Sequence, residues 1–101
     1  MTKKLKVRYV SAFRGLMFRR RPKVPVVFKV PHGLGCVHTW FVFYPIDIAL
    51  IRRDFCVVQK MTIKPFSMGR VHNFIKYIVE APAGKLNLGV GDVVELEEVK
   101  A

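Results

Sequence analysis

The chain repeatedly gathers β-branched and aromatic residues into short runs and stops each run with Pro, Gly or a charged turn. Nowhere does it sustain the 3.6-residue spacing of a long amphipathic helix. Leu5, Val7 and Tyr9 alternate with Lys4, Lys6 and Arg8, the two-residue period of a half-buried strand. Further strands are expected over Val24–Val30, Cys36–Tyr44, Asp47–Ile51, Phe55–Ile63, Phe74–Ala81 and Asp92–Val99. Pro31–Gly35, Arg52–Asp54, Lys64–Arg70 and Pro82–Lys85 read as the turns and loops between them. Ser11 can cap a short helical turn over Ala12–Met17, and Leu86–Gly91 is irregular or a single turn. The pattern predicts a mainly β protein, a compact barrel or sandwich of about seven strands with one or two short helical turns.

A length of 101 residues fits one domain, residues 1–101, and 51% hydrophobic content is too high for a disordered tail. Two cysteines, Cys36 and Cys56, are too few for a secreted disulfide framework. The amino terminus alternates charge with apolar residues and so lacks the core of a signal peptide. The apolar stretch from Val37 to Ile51 is interrupted by His38, Pro45 and Asp47, and no membrane span is expected. These features point to a soluble protein of the cytoplasm.

Charge is distributed unevenly. Residues 1–46 hold ten Lys or Arg and no acid, whereas residues 47–101 hold eight basic and seven acidic residues. Nearly all of the net +11 therefore lies in the first half of the chain. A one-sign surface attracts polyanions over about a Debye length, roughly 10 Å at moderate salt. The expected function is a non-enzymatic, small basic binding domain for an anionic partner, with nucleic acid the best-fitting one. Arg19, Arg20, Arg21, Lys23 and Lys29 are its candidate phosphate contacts. The competing reading is a solvated face that keeps a half-apolar chain in solution.

The alternative is a small-ligand site or weak enzyme built from Arg14, His38 and Asp47. An acid within an apolar β run is costly to bury unless it is paired or hydrogen-bonded. Asp47 could cap a turn through backbone N–H bonds, pair with Arg14 or Arg8, or line a cleft. His32, Cys36, His38 and Cys56 carry donors suited to tetrahedral zinc, but their spacing matches no established finger. Neither metal nor cofactor is called for. Cys36 and His38 form the only local thiol–base pair, and no nucleophile elbow, phosphate-cradling glycine loop or paired-carboxylate spacing is present. The lack of such motifs points away from an enzyme. Trp40, Phe41, Phe43 and Tyr44 could stack unpaired bases if exposed, although aromatics in such a run are more often core.

Three words in the chain occur in a telling order. They are Arg14-Gly15-Leu16-Met17-Phe18-Arg19, Pro45-Ile46-Asp47-Ile48, and Val79-Glu80-Ala81-Pro82-Ala83-Gly84 followed by Gly91-Asp92. Together they resemble the prokaryotic domain-of-unknown-function family one-nine-two, an uncharacterised family, from about residue 14 to about residue 96. His38–Phe43 resembles the archaeal style of that family, which usually has Met near the position of Val42. The resemblance implies a small β-barrel-like domain with a short helix carrying the RGLM segment. It implies no assigned activity, substrate or cofactor. Some relatives carry an export signal, which the sequence here does not show, and this favours the cytoplasm.

Overall fold

A computed structural model describes residues 2–10, 23–31, 36–39, 42–71 and 74–99, for 36–38 the backbone only. Eight strands are present among them: β1 (Thr2–Tyr9), β2 (Val26–Lys29), β3 (Cys36–His38), β4 (Ile46–Arg52), β5 (Val57–Ile63), β6 (Met68–Arg70), β7 (Ile75–Pro82) and β8 (Val93–Glu98). No helix occurs among the described residues; the turn expected over Ala12–Met17 lies outside them.

Six strands form one curled, half-barrel sheet in the order β5-β4-β7-β2-β1-β8. Its centre is antiparallel, β4 pairing with β5 and β7, and β7 with β2. The remaining pairs, β1 with β2 and β1 with β8, are parallel. Curling brings the two sheet edges together at one corner. There Cys56 bridges Val93, and the Val57 and Val94 amides donate to the carbonyls of Asp92 and Phe55.

The sheet centre is apolar on both sides because β4 and β7 are nearly continuous hydrophobic runs, as strands covered on two faces must be. From β4, Ile46, Ile48 and Leu50 enter one core with Val26, Phe28, Val42, Tyr44, Val71 and Ile78. The intervening Ala49 and Ile51 enter the second, inside the curl, with Val7, Val27, Val79, Leu86, Leu88 and Val94. Strand β1 keeps its alternation as far as Val7, which is fully buried while Lys4 and Lys6 are exposed; Tyr9, expected on the buried face, is 42% exposed like its neighbour Arg8.

β6 corrects the expected boundaries, since Lys64–Arg70 reads as loop and its last three residues are a strand. Met68, Gly69 and Arg70 pair antiparallel with His38, Val37 and Cys36 in a separate two-stranded ribbon. The pairing is long-range, so a glycine-containing triplet with no strand propensity of its own becomes β through its partner.

The expected hairpin turn at Arg52–Asp54 is present. Arg52 accepts the Phe55 N–H, and its own N–H donates to the Cys56 carbonyl. Phe55 closes the turn at φ 67°, a left-handed conformation costing about 1–2 kcal/mol for a non-glycine residue. Its ring stacks on Tyr77 with centroids 5.2 Å apart, which offsets part of that cost.

Candidate functional site

Asp47 begins with the buried face of β4. Strand alternation places it on the side of Ala49 and Ile51, and it is 5% exposed. Both carboxylate oxygens are engaged: the Thr62 hydroxyl donates to Oδ1 at 2.5 Å and the Gly84 amide to Oδ2 at 3.0 Å. Gly84 takes φ 85°, which the Pro82–Lys85 turn needs and glycine permits without strain. Asp47 thus ties the β5 edge and the turn after β7 to one end of β4. Nearby, Lys60 donates to the Leu86 carbonyl at 2.7 Å, anchoring the irregular segment that follows the turn.

Of the other two residues in the small-ligand reading, Arg14 lies outside the described residues. His38 is the last residue of β3, paired with Met68, and its side chain also lies outside them. Glu80, which sequence reasoning did not single out, is 2% exposed on β7 between Ile48 of β4 and Val26 of β2. Only its position within the word Val79–Gly84 could have marked it.

Cys56 is free and half-buried, its thiol directed to the Val57 carbonyl at 3.8 Å. Among the described residues no group of three His, Cys, Asp or Glu side chains could hold a metal ion. His32 and the side chains of Cys36 and His38 lie outside them.

The basic residues divide by location. Lys23 and Lys29 are exposed, and Arg19, Arg20 and Arg21 lie outside the described residues. On β1, Lys4 stands opposite Glu95 and Lys6 opposite Glu97, all four exposed on the outer face of the parallel pair. Lys3 forms an ion pair with Asp92 at 3.1 Å. Three of the early cations therefore face acids of the last strand and the loop before it. The Asp92 carboxylate is held below the usual aspartate range, first by the Gly89 amide at 2.8 Å and then by the Lys3 ammonium. Asp54 is lowered likewise, by the Cys56 amide and then by the Arg52 guanidinium, which contacts both carboxylate oxygens. Arg52, Arg53, Asp54 and Phe74 line a shallow, open depression at this end of the sheet.

The other exposed feature is the edge near the β3–β6 ribbon. Thr39 is fully buried, and its hydroxyl donates to the Lys64 carbonyl at 2.6 Å while accepting the Ser67 amide at 2.7 Å. Its carbonyl accepts the amides of Phe66 and Val42. This knot fixes the 64–67 turn against the chain leading into β4. Phe66, at φ 57°, and Phe43 meet edge to face with ring centroids 5.6 Å apart. Both rings are mostly in solvent, at 54% and 64% exposure, whereas the neighbouring Val42 and Tyr44 are core. Trp40 and Phe41 lie outside the described residues. Phe43 therefore departs from the core reading of this aromatic run: it lies outside any strand, exposed between the buried Val42 and Tyr44.

No helix among the described residues is long and apolar enough to cross a membrane. No family model matches the sequence. In structure the chain is similar to a protein of unknown function from Novosphingobium aromaticivorans, with a TM-score of 0.63 at 19% identity. That match covers 82% of the chain and 63% of the crystal structure's own chain, less than two thirds, and it speaks to fold alone. In sequence the chain is 29% identical over 79 residues to a UPF0127 protein of Pyrococcus horikoshii, covering 75% of the chain and 68% of that protein. It is 32% identical over 93 residues to a UPF0127 protein of Pyrococcus furiosus, covering 86% of the chain and 79% of that relative. At that identity and coverage, the chain belongs to the uncharacterised protein family UPF0127.

Proposed function

We propose that this protein is a non-enzymatic basic binding domain whose partner is a polyanion, nucleic acid being the one that best fits its chemistry. The observation that carries the reading is the placement of all seven acids. Asp47 and Glu80 are buried, Asp54 and Asp92 sit in ion pairs with Arg52 and Lys3, and Glu95, Glu97 and Glu98 share β8. Away from β8 and the two ion pairs, the described surface offers cations and no carboxylate. A net +11 so arranged has few internal counter-charges and draws phosphates to the rest of the molecule.

In this reading Arg19, Arg20, Arg21, Lys23 and Lys29 contact phosphates, whereas Lys3, Lys4 and Lys6, already facing acids, contribute little. Binding of a labelled oligonucleotide, followed by fluorescence anisotropy across a potassium chloride series, tests it. Log affinity should fall with log salt at roughly −0.9 per phosphate contacted on a duplex. Alanine at Arg19, Arg20 and Arg21 should flatten that slope by about one for each lost contact. Absent or salt-insensitive binding overturns the reading.

The words RGLMFR, PIDI and VEAPAG further support a resemblance to the domain-of-unknown-function family one-nine-two, which adds no activity. The proposed site of action is the cytoplasm.

A further inference from the structure

The outer edge beside the β3–β6 ribbon combines three properties that seldom coincide on a soluble surface. It is apolar and exposed: Phe43, Phe66 and Met68 have 64%, 54% and 59% of their surface in solvent. It is basic: Lys64 and Arg70 are exposed at either end of the same stretch, so positions 64, 66, 68 and 70 alternate with less exposed neighbours. No Asp or Glu occurs from residue 55 to residue 79. It is also held in place, since Thr39 fixes the 64–67 turn by two side-chain hydrogen bonds.

Phe66 sharpens the point. Its backbone is left-handed at φ 57°, where glycine would fit without strain, and its ring projects mostly into solvent. A left-handed backbone at an exposed non-glycine residue costs energy, and this marks the position as one to test for function. The two rings meet edge to face and together present an aromatic surface that is mostly in solvent.

We infer that this stripe is a stacking platform for single-stranded nucleic acid, unpaired bases lying on Phe66 and Phe43 while Lys64 and Arg70 meet the adjoining phosphates. The inference rests on the polyanion reading and narrows it to one class of partner. Charge selects among occupants: a purely apolar partner would leave the two cations unmatched, and a duplex would present phosphates but no free base faces. Every base has a π-face, so the platform reads little sequence. Met68 and Arg70 are the two exposed residues of β6, so strand alternation puts an adaptable apolar side chain on the same face as the guanidinium.

The test measures anisotropy of a fluorescein-labelled oligothymidylate and of a duplex of equal length, with the wild-type chain and with Phe43→Ala, Phe66→Ala and Phe66→Gly. Phe66→Gly is the control for folding, because it removes the ring while relieving the left-handed backbone, and its melting temperature should stay within a few degrees of wild type. Each ring removal should weaken single-strand binding roughly 5- to 150-fold and leave duplex binding within about twofold. Folded Phe43→Ala and Phe66→Gly variants that bind the single strand as wild type does would overturn the platform. Salt-dependent binding of the duplex would then leave the polyanion reading standing. Failure of the wild-type chain to bind either probe at low salt would overturn both.

Discussion

Thr39 shows how much a single hydroxyl can organise. It links a carbonyl and an amide from a turn 25 and 28 residues further along the chain, in a position with no exposed surface. Thr39→Val keeps the shape and leaves those two groups without their partner. We expect a loss of about 1–3 kcal/mol in urea unfolding, most of it restored by Thr39→Ser. A Thr39→Val protein as stable as wild type would mean that the turn is held some other way. Asp92 provides a second test at this scale. Its pKa is lowered in the folded state by the Gly89 amide and by Lys3, so its contribution is complete above the ordinary aspartate value. It fades as pH falls through the depressed folded value. Asp92→Asn should therefore flatten the decline of stability in that acid range, measured by thermal melts at successive pH values. The residue-level reading of Asp47 from sequence contained the right chemistry, a carboxylate accepting a backbone N–H. It could not name Gly84 as the donor, because the two come together only through the pairing of β4 with β7.

Strands β4 and β7 form the middle of the sheet, and their continuous apolar composition is the part of the fold most plainly written in the chain. Leu50 is fully buried on the face shared with Ile46 and Ile48. Leu50→Ala should cost about 2–5 kcal/mol in denaturant unfolding, the range for deleting a large buried aliphatic side chain. The pairing of β1 with β8 makes a subtler claim. Lys4 opposite Glu95 and Lys6 opposite Glu97 are cross-strand neighbours of opposite charge. Reversing one member, as in Lys4→Glu, should destabilise by about 0.2–1 kcal/mol, and adding Glu95→Lys should recover part of it in a double-mutant cycle. Nothing in the alternation of KLKVRY or VVELEE says that these strands are neighbours. Strand existence is local and legible, whereas strand order depends on which edges remain after the centre forms. β6 was illegible for a related reason: three residues containing glycine become a strand only because β3 is there to pair with them.

Across the whole molecule, protection is unevenly shared. β4 and β7 are buried on both faces and hydrogen-bonded on both edges, while the ribbon of β3 and β6 is a two-stranded unit lying outside the main sheet. Native-state amide exchange should be slowest in β4 and β7 and fastest in β6, and equal protection across the strands would contradict this division. The sequence made the charge excess visible but hid its distribution. It put three glutamates on one expected strand, Asp92–Val99, but could not show that two of them would face lysines of β1.

That same parallel pair carries a consequence for biogenesis. Among the described strands β1 is synthesised before all the others and β8 after them, and in the finished sheet they lie side by side with Thr2 next to Val93. Loop-closure entropy and high contact order make such a junction slow to form. Until β8 has been made, the edge of β1 that it covers has no strand of the finished sheet to pair with.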